Sequence, residues 1–155
     1  MKLGIIIICH NNENDIDRDF FINHSNKEKN LEICLVNNDS KDNTSDLINM
    51  IKENCNNVSV VNVKKHKSDT LAVRAGARYM FNRFNLRHLG YVTNLNNYEM
   101  NCLFETISNN QEAILNYNLR ILSKKQTRQT LFQSLFSVTD YLKKLKITSQ
   151  HIVPK

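Results

Sequence analysis

Leu31-Glu-Ile-Cys-Leu-Val-Asn-Asn-Asp-Ser-Lys-Asp-Asn-Thr44 joins a short apolar run to a cluster of turn-forming residues. Leu31 to Val36 is long enough for a strand and too short for a helix. Asn37 to Thr44 is built from side chains that hydrogen-bond their own backbone and cap helices. Leu47, Ile48 and Ile51 recur at helical spacing behind it, which predicts a helix from about Thr44. A strand that ends in a polar turn at a helix N-terminus is the place where open α/β sheets hold ligands.

Working outward, Leu3 to Cys9 is continuously apolar and rich in isoleucine, as expected of a strand buried on both faces of a parallel sheet. It runs into a second polar cluster, His10-Asn11-Asn12-Glu13. Ile16, Phe20 and Phe21 then fit one face of a short helix, and Asn23 to Asn30 reads as a loop. Val58 to Val63 is a third strand. Ser68 or Asp69 caps a helix carrying Leu71, Ala72, Ala75 and Tyr79, and His88 to Thr93 is a fourth strand. This alternation predicts an α/β fold with a mostly parallel central sheet, helices on both faces and right-handed crossovers. Farther on, Tyr98 to Ile107 reads as helix and Ala113 to Leu122 as one or two strands. Gln129 to Leu145 reads as an amphipathic helix lined by Leu131, Leu135, Val138, Leu142 and Leu145, and His151 to Val153 as a last short strand.

The 155 residues suit one domain, 1–155, without repeat or linker. Hydrophobic residues make up 41% and charged residues 23%, a globular balance. No apolar run approaches the roughly 20 residues of a membrane span, and Leu3 to Cys9 lacks the length and cleavage site of a signal peptide. The expected location is therefore cytoplasmic, peripheral at most to the inner face of the membrane. Cys9, Cys34, Cys55 and Cys102 form no C-x-x-C pair, and the five histidines share no metal-binding spacing. With only three glycines, phosphate loops that depend on glycine have little to be built from. The net charge of +6 is concentrated at one end: eight basic residues from Arg120 to Lys155 face one acid, Asp140. Such a segment suits phosphate or an anionic membrane surface. No aromatic platform accompanies it, so nucleic acid is not an expected partner. No Gly-x-Gly-x-x-Gly follows the first strand, which argues against a dinucleotide redox enzyme.

Three motifs in order, each behind its own strand, resemble the nucleotide-binding half of a family 2 glycosyltransferase with the GT-A (Rossmann-like) fold. Asn11-Asn12-Glu13-Asn14 stands where such enzymes carry Tyr-Asn-Glu-Glu. Asn37-Asn38-Asp39-Ser40-Lys41-Asp42-Asn43-Thr44 occupies the frame Asp-Asp-Gly-Ser-x-Asp-x-Thr. His66-Lys67-Ser68-Asp69-Thr70-Leu71-Ala72-Val73-Arg74-Ala75-Gly76 matches Asn-x-Gly-Lys-x-x-Ala-x-Arg-x-Gly. The resemblance implies a nucleotide-binding half over 1–101 and, over 102–155, a C-terminally truncated remnant of an acceptor half that carries the basic helix. It also implies a nucleotide or nucleotide-sugar ligand contacted by His10, Asn12, Glu13, Asn38, Asp39, Ser40, Lys67 and Arg74.

The sequence departs from that family where the chemistry is most demanding. Relatives place an Asp-x-Asp element after the fourth strand, which holds a divalent metal against the leaving diphosphate. Here the frame reads Thr93-Asn94-Leu95-Asn96, so no metal or other cofactor is expected. Thr148-Ser149-Gln150-His151-Ile152 resembles a family Asp-x-Gln-Cys-Gly segment with threonine in place of the acid. Glu99 and Asp140 are the nearest spare carboxylates, and no catalytic residue is assigned. Three functions follow: a degenerate GT-A domain that binds nucleotide without metal-dependent sugar transfer; a metal-independent transferase using Arg74 and Lys67; or a non-enzymatic partner or membrane-surface module using the basic helix near Lys143 to Lys146. A homodimer would cover the sheet edge a short chain leaves open.

Overall fold

The structure, a computed structural model, describes residues 2–93, 95, 100–125, 127 and 129–147. Five strands, β1 (Leu3–Cys9), β2 (Leu31–Asn38), β3 (Val58–Val63), β4 (His88–Val92) and β5 (Phe136–Ser137), form one sheet in the order β3-β2-β1-β4-β5. Every neighbouring pair is parallel, with Leu3 beside Leu31 and His88, Ile33 beside Val58, and Gly90 beside Phe136. Among the described residues six helices connect or follow the strands: α1 (Arg18–Ser25), α2 (Thr44–Asn54), α3 (Asp69–Arg83), α4 (Met100–Asn109), α5 (Gln111–Ser123) and α6 (Val138–Lys144). The chain winds outward from β1 to β3, then returns to lay β4 on the other side of β1. The strand order therefore reverses between β1 and β4, and the crevice at their C-terminal ends is the switch point where such sheets take ligands.

Strand alternation divides the core cleanly. Leu3, Ile5, Ile7, Leu31, Ile33 and Leu35 point to one face, where they meet Phe21, Ile48, Ile51, Leu103, Phe104 and Ile114 of the covering helices. Ile6, Ile8, Cys34 and Val36 point to the other, against Ala72, Val73, Ala77 and Met80 of α3. Burial on both sides explains why β1 reads as an unbroken apolar run and why β2, up to Val36, is interrupted by Glu32 alone. Helix α3 lies very close to the sheet: a Cβ built on Gly76 would stand 2.9 Å from methyl groups of both Ile6 and Val36. Cys9 and Cys34 are inert members of this core, their thiols pushed up to about 12 by burial.

The order of elements expected through β4 holds, but several details and the C-terminal third need correction. The face of α3 that packs on the sheet is Ala72, Val73, Gly76, Ala77 and Met80, whereas Leu71, expected on the packed side, is exposed. β2 runs two residues past Val36, so Asn37 and Asn38 belong to the strand. α1 continues to Ser25, and the loop before β2 starts after it. Ala113 to Leu122, read as strand, lies in helix α5. Its buried positions are Ile114 and Asn118, four residues apart on one helical face, and Asn118 is buried as a hydrogen-bonding hub rather than as an apolar residue. Asn118 Nδ2 donates to His88 Nδ1 at 2.7 Å, while Tyr141 Oη donates to Asn118 Oδ1 at 2.7 Å. This ties the start of β4 to α5 and α6.

The expected helix over Gln129 to Leu145 is also not one helix. Residues 131–134 are turns, Phe136 and Ser137 pair with β4, and only Val138–Lys144 is helical. Side-chain bonding within the segment accounts for the break. The Thr130 and Gln133 backbone amides donate to each other's side chains, and Ser137 Oγ accepts from the Asp140 amide to cap α6. Val138 and Leu142 are buried as expected, but Leu131 is 58% exposed. Among the described residues, no helix is long and apolar enough to cross a membrane. Tyr98, Glu99, the segment from Thr148 to Ile152 and the expected strand at His151 to Val153 lie outside the described residues.

Candidate functional site

Two cavities adjoin at the switch point and share Asp69 and Thr93 in their walls. The smaller, about 210 Å³, is lined by Ile8 and His10 of the β1 end, Asn12, Asn38, His66, Asp69, Thr93 and Leu95. The larger, about 580 Å³, lies between the first turns of α3 (Asp69, Thr70, Val73, Arg74), the end of β4 (Tyr91, Thr93) and the turn segment carrying Thr130, Phe132, Gln133 and Leu135. Together they have the size of an ordinary small-molecule cleft.

The rim of the smaller cavity is a lattice of amides. Asn38 is 1% exposed, and its side chain clamps the backbone of Lys67: Nδ2 donates to the Lys67 carbonyl at 2.9 Å and Oδ1 accepts from the Lys67 amide at 3.0 Å. An amide satisfies both partners at once, whereas an ionised carboxylate has no donor for the Lys67 carbonyl. The Asn38 carbonyl in turn accepts from His10 Nδ1 at 2.7 Å, and the His10 amide donates to Asn12 Oδ1 at 2.6 Å. Asn12 is buried, with its amide donating to Thr44 Oγ1 and its Nδ2 to Asp15. Asn37 Oδ1 accepts from the Ser40 amide and its Nδ2 donates to Asn62. The loops after β1, β2 and β3 are thus sewn together by asparagine side chains.

Two residues of this lattice have left-handed backbones, Asn11 with φ of 53° and Asp39 with φ of 55°. Asparagine and aspartate tolerate that region better than other non-glycine residues, and no glycine here has a positive φ. Asp39 therefore performs the backbone role of the glycine in the frame it replaces. Its carboxylate accepts from Lys41 Nζ at 3.0 Å and from the His66 amide at 3.3 Å, and the Lys41 bond holds its pKa below the usual carboxylate range. Burial works against the Asp42 carboxylate, and hydrogen bonds from Thr44 and the Glu13 amide outweigh it, so its pKa is lowered too.

Of the residues expected to contact a ligand, His10, Asn12 and Asn38 line the smaller cavity and Arg74 the larger. Glu13 and Ser40 serve the lattice: Glu13 accepts from the Asn43 amide and Ser40 Oγ from the Asn11 amide. Lys67 contributes its backbone to Asn38, while its side chain is exposed. Thr93 reaches both cavities and Leu95 is 1% exposed in the wall of the smaller; Asn94 and Asn96 lie outside the described residues. Sequence reasoning missed His66, whose ring lies 4.4 Å from that of His10, and Asp69, which it took only for a capping residue. It also missed Phe132, hidden in a segment read as helix.

A divalent ion such as Mg²⁺ is held by hard oxygen ligands, carboxylates first. Among the described residues that line the crevice, Asp69 is one carboxylate facing the neutral Thr93 and the apolar Leu95. Nor does any group of three or more His, Cys, Asp or Glu among the described residues come together as metal ligands. The donor set described does not fit a resident divalent ion.

The model of a protein family described as glycosyl transferase family 2 matches residues 4–96, which runs from β1 through the end of β4 and includes most of the crevice. No curated protein matches the chain.

Proposed function

The chain belongs to glycosyl transferase family 2, and from that membership we propose that it binds a nucleotide or nucleotide-sugar in the crevice at the C-terminal ends of β1, β2 and β4, with metal-dependent sugar transfer lost or impaired. The observation that carries this reading is the pair of adjoining cavities at the strand-order reversal. One is rimmed by imidazoles and amides, the other contains a guanidinium. That combination suits a flat, hydrogen-bonding base at one end and an anionic group at the other. Lys64, Lys65 and Lys67, exposed on the loop before α3 that also carries His66 into the cavity wall, add positive charge that favours an anion.

The loss of metal dependence rests on the same walls. Neutralising a diphosphate with a metal needs carboxylates to hold the cation, and the described crevice offers one. Isothermal titration with UDP, GDP and dTDP, each with and without Mn²⁺, tests both halves of the reading. Binding that is the same with EDTA as with Mn²⁺ is the expected result. No binding of any of the three would remove the nucleotide reading, and binding that requires Mn²⁺ would remove the metal-free one.

A second reading, metal-independent transfer, is favoured by Arg74, which lines the larger cavity in a position to stabilise a leaving diphosphate. Turnover of a sugar nucleotide that ignores EDTA and disappears in Arg74→Ala would establish it.

A further inference from the structure

Arg74 and Arg78 stand one turn apart on the exposed face of α3, an arrangement in which like charges repel. Among the described residues neither forms an ion pair. What sits against both is the ring of Phe132, 5.5 Å from the Arg74 guanidinium carbon and 5.8 Å from that of Arg78. Phe132 comes from the turn segment that forms the far wall of the larger cavity. Local bonds hold that segment in shape: the reciprocal Thr130–Gln133 pair, Ser134 Oγ donating to the Leu131 carbonyl, and Lys125 Nζ donating to the Gln133 carbonyl. Its hydrophobic attachment to the α3 face of the core is through Phe132 and Leu135.

An aromatic ring attracts a guanidinium through its π face without occupying the N–H groups that point away from it, which stay able to donate. Resting on the proposed nucleotide reading of this crevice, we propose that Phe132 is a positioning residue: by its cation–π contact with Arg74 it fixes that guanidinium at the wall of the 580 Å³ cavity as a fork for the diphosphate of the ligand. Arg78 also lies over the ring, at 5.8 Å, without lining the cavity. Pre-ordering matters because a long, free arginine loses rotamer entropy when it grips an anion, and one held by a ring has already lost it. The positive charge of the pair also supplies neutralisation at a place where the described residues offer a metal one carboxylate. Asp69, in the same wall, opposes an anion and sets a limit on how deep it sits.

The test is titration calorimetry in EDTA with three probes, inorganic pyrophosphate, uridine and UDP, on the wild-type chain and on Phe132→Leu, Phe132→Tyr and Arg74→Lys. Phe132→Leu keeps the apolar contact and removes the ring. It should weaken pyrophosphate and UDP about fivefold to tenfold and leave uridine unchanged, while Phe132→Tyr stays near wild type. Arg74→Lys, at an exposed site where folding is not at risk, keeps the charge and loses the planar guanidinium; it should weaken the same two probes. Adding Phe132→Leu to Arg74→Lys should then cost little more, because both remove one arrangement. Wild-type failure to bind pyrophosphate, or a full additional loss in the double variant, overturns the proposal. So does unchanged UDP affinity in Phe132→Leu. If pyrophosphate binds through Arg74 and Phe132 but UDP binds no better and uridine not at all, the nucleotide reading fails and the anion fork stands.

Discussion

The two halves of the crevice are built on opposite terms. On the β2 side the polar side chains are engaged with one another: Asn38 with the Lys67 backbone, Asn12 with His10 and Asp15, Thr44 with Asn12, Ser40 with Asn11. On the β4 side the strongest hydrogen-bond donor in the wall, Arg74, is held by an aromatic face and keeps its donors. In the first half the asparagine amides hold the loops that shape the cavity, while in the second the guanidinium forms no ion pair among the described residues. Motif positions therefore do not all carry ligand chemistry: some of the matching residues hold the loops that shape the site.

The sharpest way to break this contrast is Asn38→Asp, which puts an acid back into the frame Asp-Asp-Gly-Ser. If the amide is scaffold, restoring the acid destabilises. The new carboxylate still accepts from the Lys67 amide, but its second oxygen meets the Lys67 carbonyl at about the 2.9 Å of the present bond, in a site 1% exposed. A loss of about 2–4 kcal/mol at pH 7 follows from a buried unpaired acceptor with charge. Protonation restores a donor, so the introduced carboxyl has a folded pKa above its unfolded value. The deficit then shrinks as pH falls through the folded pKa. Urea denaturation at pH 7 and pH 5 measures both. Unchanged stability at pH 7 would return position 38 to the ligand.

Thr44→Val is a smaller cut in the same lattice. Thr44 is fully buried, and its hydroxyl accepts from the Asn12 amide at 2.8 Å. Valine fills the same space and leaves that amide without its acceptor, at a cost of about 1–3 kcal/mol by urea midpoint. A cost near zero would mean that the β1 and β2 loops hold together without this bond.

β4 reaches the crevice with its C-terminal end. At the opposite end His88, fully buried, accepts from Asn118, which accepts from Tyr141, and burial is the main cause that holds the His88 pKa below 6.5, with Arg87 adding to it. A lowered base binds fewer protons folded than unfolded. Its contribution is complete above about pH 6.5 and falls as pH drops from there toward the folded value. Replacing it with His88→Gln, which keeps a polar side chain of similar reach, should flatten the slope of stability between pH 7 and pH 5, by less than the Thr44→Val effect. An unchanged slope would move the acid sensitivity to other groups.

How much of this was readable in advance follows from which forces are local. β1 and β2 were legible because burial on both faces leaves runs that are apolar or nearly so, β3 because valines dominate its six residues, and the start of α2 because Asn37 to Thr44 can do little but turn and cap. The lattice residues were found for a different reason from the one that places them: their spacing drew attention, and their engagement with the Lys67 and Asn12 backbones is long-range and leaves no periodic trace. The C-terminal third failed where a polar residue sits in the core. Asn118 broke the apolar pattern of α5, and paired side-chain bonds at Thr130, Gln133 and Ser137 overrode a helical stripe of leucines. Phe132 was invisible because its partners, Arg74 and Arg78, lie far away in sequence.

The smallest expected effect on stability is the one that most sharpens the contrast. Arg74→Gln removes a guanidinium that is exposed, forms no ion pair among the described residues and repels Arg78. It also removes one cation–π contact worth about 0.5–1 kcal/mol at an exposed site. These terms oppose each other, so the urea midpoint should stay within about 0.5 kcal/mol of wild type, the range usual for surface substitutions. Pyrophosphate affinity should fall in the same sample. A scaffold residue cannot separate those readouts, because losing its bonds loosens the loops it joins; a residue whose donors face the cavity can. Substantial destabilisation with unaltered anion binding would make Arg74 a structural strut for the turn segment and erase the difference between the two halves of the crevice.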